Sequence, residues 1–122
     1  MFFDIKAMAE RSAPGPHSRH AKLIFDQRTL SNAPMSMALF RFEPGQTGPP
    51  HHHNTEVEVY YGMQGEGCVI LDGEEHRLTP HTALYIPPGK THETKNPGNE
   101  DFVFLAVFGP AVDLDFIRSW SA

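Results

Sequence analysis

Short apolar segments separated by turn residues recur along the whole chain. Clusters of Gly, Pro, Asn and Asp divide these segments, a pattern typical of short β-strands rather than of helices. The pattern predicts strands over 35–42, 56–63, 68–71, 75–78, 83–86, 91–95 and 102–108. This many short strands with turns at such spacing predict an all-β sandwich or barrel.

Two of these segments carry more detailed predictions. Asp72-Gly73 separates two of them, and this dipeptide favours a type I′ hairpin turn because both residues can take positive φ. The run 102–108 is apolar throughout, so one of its two faces must line the interior. The sequence leaves open whether that face carries Phe102, Phe104, Ala106 and Phe108 or carries Val103, Leu105 and Val107.

The two ends of the chain are less informative. Residues 1–30 contain the breaker cluster 13–16 and the short apolar piece 22–25, which could form an edge strand. Residues 113–120 could form one or two turns of helix, or a strand that pairs elsewhere. We expect a core over about 35–108, an N-terminal extension over 1–34 and a short tail over 109–122.

Length and composition agree with one domain over residues 1–122. The chain has 122 residues, of which 39% are hydrophobic and 11% aromatic, enough for one compact core. The formal charge of −5 and the absence of a Lys/Arg cluster argue against binding to nucleic acid. No apolar run approaches the roughly 20 residues of a spanning helix, so no membrane role is expected.

Cys68 is the only cysteine, which excludes an intramolecular disulfide. Its surroundings indicate a small side chain of core type rather than a catalytic thiol. Residues 1–12 lack the apolar stretch of a signal peptide. Together these features lead us to expect a cytoplasmic location.

The candidate chemistry lies in two places. In the segment 50–58, His51 and His53 are two residues apart, so on an extended strand they project to the same face. Glu58 follows after a short turn and brings a carboxylate near the pair. Further on, the tight turn 87–89 directs His92 away from the start of a strand. Two imidazoles on one face of a strand can converge on one metal ion.

The joint spacing of these residues resembles the cupin family. The first cupin motif, G-x5-H-x-H-x4-E-x6-G, is met at every position by Gly45, His51, His53, Glu58 and Gly65. The second motif, G-x5-P-x-G-x2-H-x3-N, is met by Pro87, Gly89, His92 and Asn96. Its first position differs, because His81 stands where the family has Gly. Since His tolerates positive φ better than most residues, we expect a viable turn there.

The resemblance implies a double-stranded β-helix, or jelly-roll, barrel of the cupin type. It also implies that His51, His53, Glu58 and His92 hold one divalent transition metal per chain: Fe, Mn, Ni, Zn or Cu. Four protein ligands would leave two positions open on a six-coordinate ion. Glu56 has the same strand parity as Glu58 and is the competing carboxylate. Glu58 is preferred because only it keeps the motif spacing to Gly65.

Residues near the ligands are candidates for the pocket wall. Tyr60 follows Glu58 by two residues and Thr94 follows His92 by two, so both share a ligand's strand face. Phe104 is a candidate if its face of the last strand is the inner one. Arg41 could pair with a substrate carboxylate, or could point outward into solvent.

The implied function is metal-dependent chemistry on a small oxygenated or carboxylated organic molecule. Dioxygenase-type chemistry is favoured over isomerase, lyase or decarboxylase chemistry, and a non-catalytic, metal-dependent binding or sensor protein is the other alternative. A homodimer is expected, because the N-terminal strands together with Phe116, Ile117 and Trp120 offer more apolar surface than one small barrel covers.

Overall fold

A computed structural model describes all residues, 1–122, as two antiparallel sheets with one short helix. A 3₁₀ turn, Ile5–Ala7, precedes the first strand, and the helix α1 spans Asp115–Arg118. The strands are β1 Arg11–Ser12, β2 His20–Phe25, β3 Ser36–Phe42, β4 Val57–Gln64, β5 Gly67–Leu71, β6 Glu74–Leu78, β7 Ala83–Ile86, β8 His92–Lys95 and β9 Phe102–Gly109.

The strand order is that of a jelly roll. One sheet has the order β1-β2-β3-β9-β4-β7 and the other the order β6-β5-β8. Consecutive strands such as β4 and β5 lie in different sheets, so the chain crosses repeatedly from one layer to the other. The predicted all-β, double-stranded β-helix fold is confirmed.

In the central strand β9, which forms from the last apolar run, burial shows which of the two faces is internal. Phe102, Phe104, Ala106 and Phe108 are at most 2% exposed, whereas the residues between them are partly exposed. The ring of Phe104 lies 5.4 Å from that of Phe40 and 4.5 Å from that of Tyr60, measured between centroids. These contacts form the aromatic centre of the core, beside the site described below.

The N-terminal extension belongs to the larger sheet. β2 pairs with β3 along five residue pairs, but β1 pairs with β2 only at His20 and Ala21. Residues 22–25 therefore have a strand neighbour on one side only, as expected of an edge strand, and the outermost strand β1 has only two residues. A short outer strand of this kind protects the longer one from pairing with other chains.

The C-terminal segment is anchored on the same side by an ion pair with a buried carboxylate. Asp26 is fully buried and accepts hydrogen bonds from Arg118 at 2.6 and 2.7 Å and from the backbone N–H of Leu114 at 3.0 Å. Because of these bonds, α1 docks against β2, and residues 113–120 contain one turn of helix, one of the alternatives left open by the sequence. Ile117 and Trp120 are buried within the chain.

Two turns agree with their sequence predictions. Asp72 and Gly73 have φ of 51° and 84°, as a type I′ hairpin requires. His81 has φ of 66°, so the residue that replaces the motif glycine adopts the left-handed conformation that glycine would take. Its Nδ1 lies 2.7 Å from the Tyr61 hydroxyl, a hydrogen bond that helps to hold the turn.

No helix in the structure is long and apolar enough to cross a membrane.

Candidate metal centre

The backbone brings the two histidine motifs together. His51 and His92 form an isolated antiparallel bridge in which each N–H donates to the other's carbonyl at 2.9 Å. Their ring centroids are 4.1 Å apart. The strand expected through His51 and His53 is an irregular segment in which His51 pairs with His92 and the His53 carbonyl accepts a hydrogen bond from the Gly89 N–H at 2.6 Å. The side chains of His51 and His53 still point to the same side, as predicted, with ring centroids 5.3 Å apart.

Glu58 reaches the same point from the opposite sheet. It is the second residue of β4, is 2% exposed, and places Oε1 3.0 Å from His92 Nε2 and 3.5 Å from His53 Nε2. His92, the first residue of β8, is 1% exposed. Potential ligand atoms of His51, His53, Glu58 and His92 all lie within 4.8 Å of one another.

Backbone carbonyls orient two of the imidazoles. His51 Nδ1 lies 3.0 Å from the Pro49 carbonyl and His92 Nδ1 lies 3.1 Å from the Lys90 carbonyl. A carbonyl only accepts, so each Nδ1 donates to it, and Nε2 is the ring nitrogen that remains available to a metal ion. Such outer contacts are typical of metal-binding histidines, whose ring orientation they hold.

The remaining contacts also fit a metal ion. His53 Nε2 is buried and has no hydrogen-bond partner, which is costly unless another group satisfies it. Ligands about 2.1 Å from an ion and at right angles to each other lie about 3 Å apart, close to the distance between His92 Nε2 and Glu58 Oε1. The cluster is therefore positioned to bind a metal.

The electrostatics of the cluster keep its carboxylate charged. Burial opposes ionisation of Glu58, but contacts with His53 and His92 hold the pKa of its carboxyl below the usual value. The same carboxylate raises the pKa of His53. Metal binding requires an ionised carboxylate and neutral imidazoles, so a proton held by His53 would leave as the ion binds.

Glu56, the competing carboxylate, is not part of the cluster. It is partly exposed and accepts only a long, 3.4 Å hydrogen bond from the backbone N–H of Thr55. It precedes β4, whereas Glu58 lies inside β4 on the face that looks toward the other sheet. The structure thus brings Glu58 to the histidines, as the motif spacing predicts.

The cluster opens into a cavity of about 390 Å³ between the sheets. Its wall is largely aromatic, with few polar groups apart from the cluster itself. The lining residues are Arg19, Phe40, Phe42, Gly48, Pro49, His51, His52, His53, Glu58, Tyr60, Thr94, Phe104, Phe108 and Phe116. A concave, mostly apolar site with a few converging polar groups is the usual form of a small-molecule pocket.

Three of the four predicted pocket residues line this cavity: Tyr60, Thr94 and Phe104. The Thr94 hydroxyl is buried without a hydrogen-bond partner. Burial, followed by the negative charge of Glu58, raises the pKa of Tyr60 well above its usual value, so this phenol keeps its proton.

Arg41 does not line the cavity, so its place among the pocket residues was wrong. Along β3 the residues with even numbers face inward, and strand alternation places Arg41 outside. Its guanidinium pairs with Glu10 at 2.8 Å and with Asp101 at 3.0 Å. The inward positions next to it belong to Phe40 and Phe42, which line the cavity.

Arg19 was missed by the sequence analysis. It lies just before β2, outside both cupin motifs, and reaches the cavity because residues near the N-terminus fold back against Trp120. No local pattern marks it, since its position depends on contacts with the far end of the chain. Only the three-dimensional structure reveals it.

Comparison with known proteins shows which family the chain resembles. The cupin domain model matches residues 38–108. A glucose-6-phosphate isomerase of Thermococcus kodakarensis is 38% identical over 63 residues, which are 48% of this chain and 33% of that protein. A dimethylsulfoniopropionate lyase of Ruegeria pomeroyi is 42% identical over 73 residues, 55% of this chain and 47% of that protein. The chain therefore spans between a third and a half of the length of these two relatives.

Solved structures agree on the fold. A Thermotoga maritima protein described as a predicted oxalate decarboxylase superposes with a TM-score of 0.82 over 90% of this chain and 99% of that one, at 22% sequence identity. At this identity the similarity shows the fold alone. The matched region contains both histidine motifs and the Glu58 strand, and we conclude that the chain belongs to the cupin family.

Proposed function

We propose that this cupin is an enzyme that holds one divalent transition metal through His51, His53, Glu58 and His92 and acts on a small oxygenated or carboxylated organic molecule. The observation that supports this most directly is that three residues of the cluster, His51, His53 and Glu58, line the aromatic cavity. A donor set of three imidazoles and one carboxylate suits Fe, Mn, Ni, Zn or Cu.

The metal would supply Lewis-acid polarisation of a substrate oxygen. The chain's own residues bind and orient the molecule. Tyr60 keeps its proton and can donate a hydrogen bond, while the unpartnered Thr94 hydroxyl can donate or accept one. Phe104 and Phe108 shield the reacting groups from water, which strengthens these polar contacts.

Non-redox chemistry, an isomerisation or an elimination, leads among the reaction classes. It is supported by the two relatives named as an isomerase and a lyase. Dioxygenase-type chemistry, which the sequence analysis favoured, is the second candidate, and the histidine-rich donor set, which also accommodates iron, supports it.

The test is turnover by protein reconstituted separately with each of the five metals. Hydroxy acids, keto acids, sugar phosphates and sulfonium carboxylates would be incubated with it and followed by proton NMR, with and without oxygen. We expect metal-dependent turnover without oxygen in the wild type and in His76→Ala, whose histidine lies outside the cavity. The Glu58→Gln variant should lose both metal and turnover.

Two other outcomes would redirect the proposal. Turnover that requires both iron and oxygen would favour the dioxygenase. Saturable binding of a panel member without turnover under any condition would contradict an enzyme and favour the binding protein.

A further inference from the structure

Arg19 is a charged residue in the cavity wall that has no acidic partner. Its Nη1 donates to the His17 carbonyl at 2.8 Å, and no other hydrogen bond of its guanidinium to the protein is present. Arg41 and Arg118, by contrast, are each paired with several carboxylates.

The Arg19 side chain is held in place without using its remaining donors. Its guanidinium carbon lies 4.7 Å from the centre of the Trp120 ring, a cation–π contact. Trp120 is itself fixed, because Ser12 and Ser121 exchange backbone hydrogen bonds of 2.7 and 3.2 Å next to it. Nε and Nη2 are therefore oriented in advance and free to bind a ligand.

The charged groups of the cavity wall favour binding of an anion. Glu58 is the only acidic residue in its wall, and its contacts with His53 and His92 commit it to the metal site. A divalent ion, one carboxylate and one guanidinium leave the loaded cavity with a net positive charge. Burial lowers the pKa of Arg19 by disfavouring its charged form, a cost that a bound anion would offset.

We propose that Arg19 binds an anionic oxygen group, a carboxylate or a phosphate, of the molecule whose other oxygens reach the metal. This inference rests on the proposed function and adds to it a substrate class: molecules with an anionic group remote from the metal-binding end. The planar guanidinium, with two parallel N–H groups, matches both anions. The aromatic wall next to Arg19, including Phe42, suits a carbon segment between the two ends.

The test compares probes that differ only in the second anionic group. Cobalt(II)-loaded protein would be titrated with malate beside 2-hydroxybutyrate, and with 3-phosphoglycerate beside glycerate, following its visible absorption. We expect the wild type to bind at least one charged probe about tenfold more tightly than its partner, the gain from a charge-assisted hydrogen bond. A preference for malate indicates a carboxylate, and one for 3-phosphoglycerate indicates a phosphate.

Two variants test whether the preference for the charged probe depends on Arg19. Arg19→Gln should remove it and leave the affinity for 2-hydroxybutyrate and glycerate unchanged, which a merely structural role of Arg19 would not do. Arg77→Gln makes the same charge change at an exposed arginine outside the cavity and should retain the preference. No preference in the wild type, or an equal preference in Arg19→Gln, would overturn the inference.

A metal-free arm separates this inference from the proposed function. Inorganic phosphate added to chelator-treated protein should raise the unfolding temperature of the wild type more than that of Arg19→Gln. If cobalt does not bind at all, the proposed function fails, and this arm alone decides the role of Arg19. Where cobalt does not bind, equal stabilisation of both proteins would overturn that role.

Discussion

His51 and His92 are joined through their backbones by two hydrogen bonds of 2.9 Å, and their imidazoles lie side by side as a result. The bridge connects the segment before β4 with the first residue of β8. Two residues 41 positions apart in the sequence are thus placed by the main chain, independently of any ion. A cluster positioned in this way loses little conformational entropy on binding a metal.

We therefore expect metal to stabilise the folded protein strongly. An ion that binds only the folded state adds about 2.7 kcal/mol to the free energy of unfolding at a free concentration 100 times its dissociation constant. Thermal unfolding with and without added metal measures this effect. The Glu58→Gln variant should show little increase in unfolding temperature, because its amide is a poor ligand. An equal increase in both proteins would mean that the metal binds elsewhere.

Gly65 should tolerate no side chain. It has φ of 68°, and a Cβ there would overlap the carbonyl oxygen of Asp101. Gly73 has φ of 84° with nothing near its Cβ position, so Gly73→Ala measures the cost of backbone strain alone. Chemical denaturation should show Gly65→Ala to be at least about 2 kcal/mol less stable than Gly73→Ala. Equal stability of the two variants would show that Asp101 moves away freely.

The buried Asp26 should make stability depend on acidic pH. Hydrogen bonds from Arg118, opposed by burial, hold the pKa of this carboxyl well below its usual range. Its contribution is therefore complete above the pKa of an unfolded Asp, about 3.9, and is lost as pH falls through the folded value. Asp26→Asn should cost about 2 kcal/mol near pH 7, and the difference from the wild type should shrink below about pH 4.

The control for Asp26 is Asp115→Asn, which removes an exposed carboxylate that contacts the same arginine at 2.9 Å. Exposed pairs contribute little, so this variant should unfold like the wild type. Denaturant titrations from pH 3 to pH 8 give both comparisons. A difference between wild type and Asp26→Asn that grows toward low pH would contradict the assigned pairing.

A homodimer remains a prediction, although the structure points to a different apolar surface from the one the sequence indicated. Of the C-terminal apolar residues, Ile117 and Trp120 are buried within the chain and only Phe116 is exposed. The outer face of β4 and β7, at the edge of the larger sheet, instead exposes Tyr61, Met63 and Tyr85. Light scattering should show a dimer that Tyr85→Lys weakens. Only monomer at high concentration would remove this prediction.

The ligand cluster is predicted by the resemblance to the two cupin motifs, whose spacing is present in this sequence. Strand parity aligns His51 with His53, and the glycine-bounded turns place Glu58 and His92. Parity also predicts Tyr60 and Thr94 in the cavity wall. Parity alone cannot determine which face of an isolated strand is internal, so the inner face of β9 and the outward direction of Arg41 needed the structure.

The place of Arg19 in the cavity wall could not be predicted from the sequence, and the physical reason is a different one. Arg19 enters the cavity wall because residues 11–12 pair with the C-terminal end and Trp120 stacks against the guanidinium. These contacts join residues about 100 positions apart. No periodicity or turn residue within 1–30 encodes them.

The central claim is that the four-residue cluster binds a transition metal. The most direct test is metal content by plasma mass spectrometry of untagged protein, beside a double variant with His51→Ala and His53→Ala. His52→Ala is the matched control, because His52 lies between the two histidines and outside the cluster. We predict nearly one metal per chain in the wild type and the control, and none in the double variant. Metal retained by the double variant, or absent from the wild type after anaerobic reconstitution, would contradict the claim.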